Sequence, residues 1–206
     1  MSNKVLLTSV IATVIAFSGL SPAHADAAKP GQSMTHLKTA SGLASTLESV
    51  GVILYAQGGA TASLIGDSVS TVNSQYVVHI PVTSEKSGVQ HLGSNIVLFN
   101  TTNNTQLQLR NPVIDLKSGA ISATLPQVEN KTLPVFTITN LNTLKSQTSS
   151  DRKSKLKKVQ YSGANLAFAP GIAAAVANTL GLPANSIADQ SAFGSADITL
   201  YSKLVK

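Results

Sequence analysis

The side chains able to do chemistry in this 206-residue chain are few and scattered. Its histidines are His24, His36, His79 and His91. His91 stands in the glycine-flanked segment Gly88-Val-Gln-His91-Leu-Gly93, where a loop can present an imidazole as ligand or general base or tie it into hydrogen bonds. His79 falls in an alternating run, opposite Tyr76, Val78 and Ile80, the position of a surface strand histidine. The pair His79/His91 lacks the i, i+4 spacing of a helical zinc site, so no metal site is expected. Asp67, Glu85, Asp115, Glu129, Asp189 and Asp197 are dispersed, with no pair close in sequence, although an acid–base pair can still assemble in space. Asp115, in Asn111-Pro-Val-Ile-Asp115, reads as a tie between strand and turn. No Gly-x-Ser-x-Gly elbow, phosphate-binding glycine loop or calcium loop occurs. The absence of cysteine excludes thiolate metal sites, cysteine nucleophiles and disulfides. No catalytic residue is assigned, and an enzyme is not expected.

Charge is the second signal. The net charge is +6, yet Arg152, Lys153, Lys155, Lys157 and Lys158 fall in one short run, outside which the chain is close to neutral. Such a run is a solvated loop or a contact for an anionic surface, and the expected partner is an anionic cell-surface polymer or another surface protein. No aromatic residue interleaves with it to stack bases, so nucleic acid is not an expected partner.

These residues must be held by β structure. Tyr76 to Val82 alternates with period two, 95–99 reads as a more buried strand, and 105–109, 113–116, 120–125, 133–138, 163–168 and 193–204 continue the series. Asn, Thr and Gly clusters separate them as turns. Two short helices stand near the two chain ends. Leu43, Leu47 and Val50 share a face after Ser41 as N-cap, and Ile172, Val176 and Leu180 share a face after Pro170 at the first helical position. The expected fold is mainly β: an antiparallel β-sandwich or partly closed barrel with two short helices near the chain ends.

The first 25 residues read as a cleavable export signal. Lys4 precedes an uncharged apolar run from Val5 to Leu20, Ser21-Pro22 breaks it, and Ala23-His24-Ala25 supplies a cleavage site. Residues 26–36 read as a flexible lead-in, and 37–206 as a single β-rich domain with a basic loop insertion at 146–158. The expected location is secreted, periplasmic or at the cell surface, with no membrane span once the signal is removed.

The two helical segments also resemble each other. Leu37-Lys-Thr-Ala-Ser-Gly-Leu43 aligns with Leu166-Ala-Phe-Ala-Pro-Gly-Ile172, and Val50-Gly51-Val52 with Leu180-Gly181-Leu182. Small-residue strands follow each, at 59–64 and 194–200. The expectation is a strand–helix–strand unit used twice, flanking the central sheet.

The order of short motifs carries a resemblance. A helix ends in Val50-Gly51-Val52; then come His79-Ile-Pro-Val82, Gly88-Val-Gln-His91-Leu-Gly93, Leu109-Arg-Asn-Pro-Val-Ile-Asp115, Leu133-Pro-Val-Phe136, a second helix and a Gly194-Ser-Ala196 strand. The chain resembles a broad group of exported bacterial surface and secreted β-rich proteins, and more distantly the HtaA-like haem-binding domains. That resemblance implies haem as an alternative ligand, held by a tyrosine with a supporting histidine. Tyr55 and His91 are the candidates, but the turn before the alternating strand, Asn100-Thr-Thr-Asn-Asn-Thr105, departs from the pattern, and no haem ligand is carried across. The function expected is a non-enzymatic binding, adhesion or structural protein outside the cytoplasm. Alternatives are an HtaA-like haem or small-ligand binder and an exported hydrolase.

Overall fold

The computed structural model describes residues 31–66, 68 and 72–204. The expected export signal, residues 1–25, lies outside the described residues, as does Asp67. In chain order the elements are β1 (Met34–Thr39), α1 (Leu43–Ser49), β2 (Val52–Gly58), β3 (Thr61–Ile65), β4 (Gln75–Pro81), β5 (Val89–Gln90), β6 (Ser94–Asn100), β7 (Thr105–Ile114), β8 (Ala120–Leu125), β9 (Lys131–Ile138), β10 (Ser146–Asp151), β11 (Leu156–Phe168), α2 (Ile172–Thr179) and β12 (Ala192–Lys203). The strands form one antiparallel sheet in the order β2-β6-β7-β8-β9-β11-β12-β1-β4-β3, with β10 against β11 and β5 against β7. Its end strands, β2 and β3, are joined by the tight turn at Gly58-Gly59, so the sheet nearly closes on itself. The fold is therefore mainly β, a partly closed antiparallel barrel with two short helices, as the alternation predicts. No helix among the described residues is long and apolar enough to cross a membrane.

Side-chain alternation explains the closure. In β8, Ile121, Ala123 and Leu125 point inward. The continuous apolar run of β6 is buried at every position but Phe99. Phe136, Phe168 and Phe193 meet in the core with ring centroids 4.4 to 5.5 Å apart. The separate strands expected at 105–109 and 113–116 are one strand, β7, bent where Asn111 takes a left-handed φ of 50° and the register with β8 shifts.

Three expectations are corrected. The lead-in does not extend to residue 36: Met34–Thr39 is a strand in mid-sheet, paired with β12 and β4. Its inward face reads Thr35, Leu37, Thr39, with only one apolar residue to mark the period. The basic segment 146–158 is not a loop insertion; of the two readings its sequence allows, mobile loop or hairpin tip, it takes the second, β10 turning into β11. The helix caps are neither Ser41 nor a Pro170 first position. Gly42 and Gly171 cap α1 and α2 with φ 78° each, and the Ser41 hydroxyl points to Asn73 instead.

Those matched glycines support the repeat in its first half. β1 leads into α1 as β11 leads into α2, and Gly51 and Gly181 end the helices with positive φ. The second halves differ, because β3, the strand at 59–64, pairs with β4, whereas β12 returns beside β11. Nor do the two units flank the sheet. β11 and β1 run parallel on either side of β12, so both helices sit at one end of the barrel. At the opposite end, Leu204 donates its N–H to the Lys155 carbonyl (2.9 Å), and Lys203 pairs with Leu156. The barrel thus has two unlike poles, one made of helices and one of the basic hairpin.

Candidate functional site

His91 is fully buried. Its Nδ1 lies 2.9 Å from the Pro112 carbonyl oxygen, which can only accept, so Nδ1 carries the proton. Nε2 then accepts from the Thr35 hydroxyl at 2.8 Å. Burial pushes the His91 pKa below the ordinary histidine value, and the bond to Pro112 offsets part of that. Both nitrogens of the neutral ring are taken. The loop and the strand bend lock together further, because Gly93 N–H donates to Asn111 Oδ1 (2.8 Å) and His91 N–H to Pro112 O (3.0 Å). The segments Gly88–Gly93 and Leu109–Asp115, separate motifs in sequence, are one contact in space.

Tyr55 does not share a site with His91. It lies on the outward face of β2, alternating with the buried Val52 and Leu54, while His91 faces the interior among Leu37, Ile80, Ile96 and Leu109. These two candidates do not fit a common haem site with the tyrosine on the iron and the histidine beside it.

The aspartates are mostly occupied by backbone. Asp115 Oδ1 accepts from Lys117 N–H (2.8 Å) and Oδ2 from the Ser118 hydroxyl (2.7 Å), which hold its carboxyl below the usual range. Asp151 makes the same turn with Lys153 N–H and Ser154. The shared sequence Asp-x-Lys-Ser is the signal of both. Asp189 accepts from Gly171 N–H at the start of α2, and Asp197 from Gly163 N–H at a bulge of β11. Glu129 pairs with Lys131 at the surface. Glu85 and Asp115 line one open groove of about 480 Å³, but both Asp115 oxygens serve the turn.

The five basic residues, Arg152, Lys153, Lys155, Lys157 and Lys158, come together on the hairpin. Asp151 is bound into the turn, and Lys155 takes φ 55° to close it. Every residue of β10 is exposed. Lys158 stands opposite Tyr201 on β12, and Lys203 is its neighbour two residues on.

At the helical pole lies a cleft of about 290 Å³. Leu43, Leu47 and Val50 of α1 form one wall, Leu182 and Ile187 stand across from them, and Leu98, Phe168 and Phe193 underlie it. Its base is buried, while Val50 at the rim is 39% exposed. The polar groups in its lining are Thr46, Ser186 and Ser191. It contains no imidazole, phenol, thiol or thioether, the groups that hold haem iron, so it does not fit haem ligated by the protein.

No protein-family model, no curated protein and no solved structure matches this chain. The assignment of a site therefore rests on the geometry above.

Sequence reasoning finds the apolar stripe of α1 but not the cleft it borders. The stripe at Leu43, Leu47 and Val50 reads as core-facing. Its cover, the segment from Leu182 to Ser191, has no period of its own, and its position follows only from the parallel placement of β1 and β11.

Proposed function

We propose that this chain is a non-enzymatic binding protein of the exported, surface-associated kind, which holds a small apolar ligand in the cleft between α1 and the segment 182–193. The cleft carries this reading. It is concave and apolar, has three hydroxyl-bearing side chains to orient a ligand, and leaves part of an amphipathic helix stripe uncovered. The aspartates support it from the other side, since each of Asp115, Asp151, Asp189 and Asp197 is engaged by a backbone N–H. The test is titration with the uncharged fluorophore N-phenyl-1-naphthylamine. One saturable site is expected, insensitive to salt and lost in Val50→Glu and Leu182→Glu. No enhancement, or equal enhancement in both variants, overturns the reading. A haemin titration run beside it distinguishes the HtaA-like alternative: a Soret band abolished by Tyr55→Ala would put haem first. Turnover in a broad hydrolase screen would put the hydrolase first.

A second reading concerns attachment and rests on the hairpin. Five cations at and beside the tip of the β10–β11 hairpin, at the end of the barrel opposite the cleft, suit a contact with an anionic cell-surface polymer. Held by that pole, the molecule would turn its cleft outward. Binding to teichoic acid or anionic polysaccharide should weaken steeply between low and physiological salt. It should also fall in a variant with Arg152, Lys153 and Lys155 all changed to serine. Equal binding at both salt concentrations would reject the contact.

A further inference from the structure

His36 and His79 lie directly opposite one another on β1 and β4, on the outward face of the sheet. Their rings stand edge to face with centroids 4.7 Å apart. Neither ring nitrogen has a hydrogen-bond partner among the described residues, in contrast to His91, whose two nitrogens are both engaged. The next position across the sheet, on β12, is Asp197, on the far side of His36 from His79. On the other flank, β3 places Thr61 beside His79.

We propose that His36 and His79 form a two-imidazole site for a late first-row divalent metal ion, with Cu²⁺ the tightest. Two unpaired imidazoles at this spacing are a cross-strand chelate: a modest rotation of each ring brings both nitrogens to about 2.0–2.1 Å from one ion. Copper leads because affinity at nitrogen donors rises to Cu²⁺ across the row. Asp197 adds negative charge beside the ion without converging on it, and among the described residues no third ligand-type side chain converges. The remaining coordination positions are open to water or an outside donor. The alternation that sets inward Thr35 and Leu37 against outward His36 and Lys38 is what brings the pair out to solvent.

The test is Cu²⁺ titration of the untagged protein with a competing chelator, read by electron paramagnetic resonance. One ion per chain is expected, with hyperfine structure from two equatorial imidazole nitrogens. His36→Ala and His79→Ala should each leave one nitrogen. Each should weaken binding by more than the roughly 10–100-fold that losing a mere supporting partner costs. Far-ultraviolet circular dichroism and melting of both variants check that the sheet is intact, and His79→Gln provides a second variant that keeps a polar side chain. Absence of a one-to-one site, or a signal unchanged in both alanine variants, would overturn the proposal.

Discussion

The Thr35 hydroxyl donates to His91 Nε2 across 56 residues of sequence, at 2.8 Å and inside the barrel. This bond joins β1 to the loop before β6, and Pro112 holds the other side of the ring. It is a polar link among the mostly aliphatic side chains that surround it, Leu37, Ile80, Ile96 and Leu109 among them. Replacing Thr35 by valine keeps the shape and β propensity but leaves Nε2 unpaired. A loss of about 1–3 kcal/mol is expected, the cost of an orphaned buried acceptor. Urea denaturation of Thr35→Val against the parent measures it, and a midpoint unchanged at equal slope would show that Nε2 finds another partner.

The same ring sets a pH dependence. His91 and His36 both have pKa values pushed below the ordinary histidine value of 6.5, chiefly by burial. Below about pH 6.5 the unfolded chain takes up protons that the folded chain refuses, so stability rises with pH through this range. It is fully present above 6.5 and is lost as the pH falls toward the depressed folded values. The melting temperature should drop between pH 7 and pH 5, and His91→Gln should flatten that slope. A slope unchanged in this variant would assign the dependence to other groups.

Ser94 offers a prediction of opposite sign. Its hydroxyl is buried without a hydrogen-bond partner, beside the Gly58-Gly59 turn that joins the two end strands. Ser94→Ala removes an unsatisfied group and almost no volume. It should be neutral or stabilising by up to about 1 kcal/mol. A clear destabilisation in thermal melts would reveal a partner for the hydroxyl.

Gly194 sits opposite Thr39 where β12 pairs with β1. A Cβ there would overlap the Lys38 carbonyl and crowd Thr39 Cα. Both contacts are backbone in mid-sheet and cannot swing aside. Gly194→Ala should therefore destabilise by more than the 1 kcal/mol or so typical of a point mutation. Gly163→Ala is the control: no atom stands within 4 Å of its added Cβ, so only the cost of its positive φ remains. Similar losses in the two variants would remove the steric argument.

Much of the barrel is legible in the residues, and the exceptions have physical causes. β8 emerges with the expected bounds, and β4 and β6 lie within a residue of theirs, because their inward positions are aliphatic and their turns are rich in Asn and Gly. β1 is missed because its inward face is Thr-Leu-Thr. Those threonines are buried for their hydroxyls, Thr35 for His91 and Thr39 to accept the Tyr76 N–H at 2.9 Å. The basic hairpin is legible only as one of two readings, because β10, Ser-Gln-Thr-Ser-Ser-Asp, is wholly exposed and has no apolar period to read. Of the candidate site, the α1 stripe is visible, whereas the cleft and the His36/His79 pair depend on which strands become neighbours. His91 is visible as a residue, but its partners, Thr35 and Pro112, lie 56 and 21 residues away.

The position of β12 between β1 and β11 has a kinetic consequence. Thr35 pairs with Ile198, so the first described strand waits for the last before the sheet can be continuous. Without β12, β1, β4 and β3 are a three-stranded ribbon with no strand pairing to the rest of the sheet. Pairings this distant in sequence slow folding, because the loop-closure entropy is spent before the contacts return it.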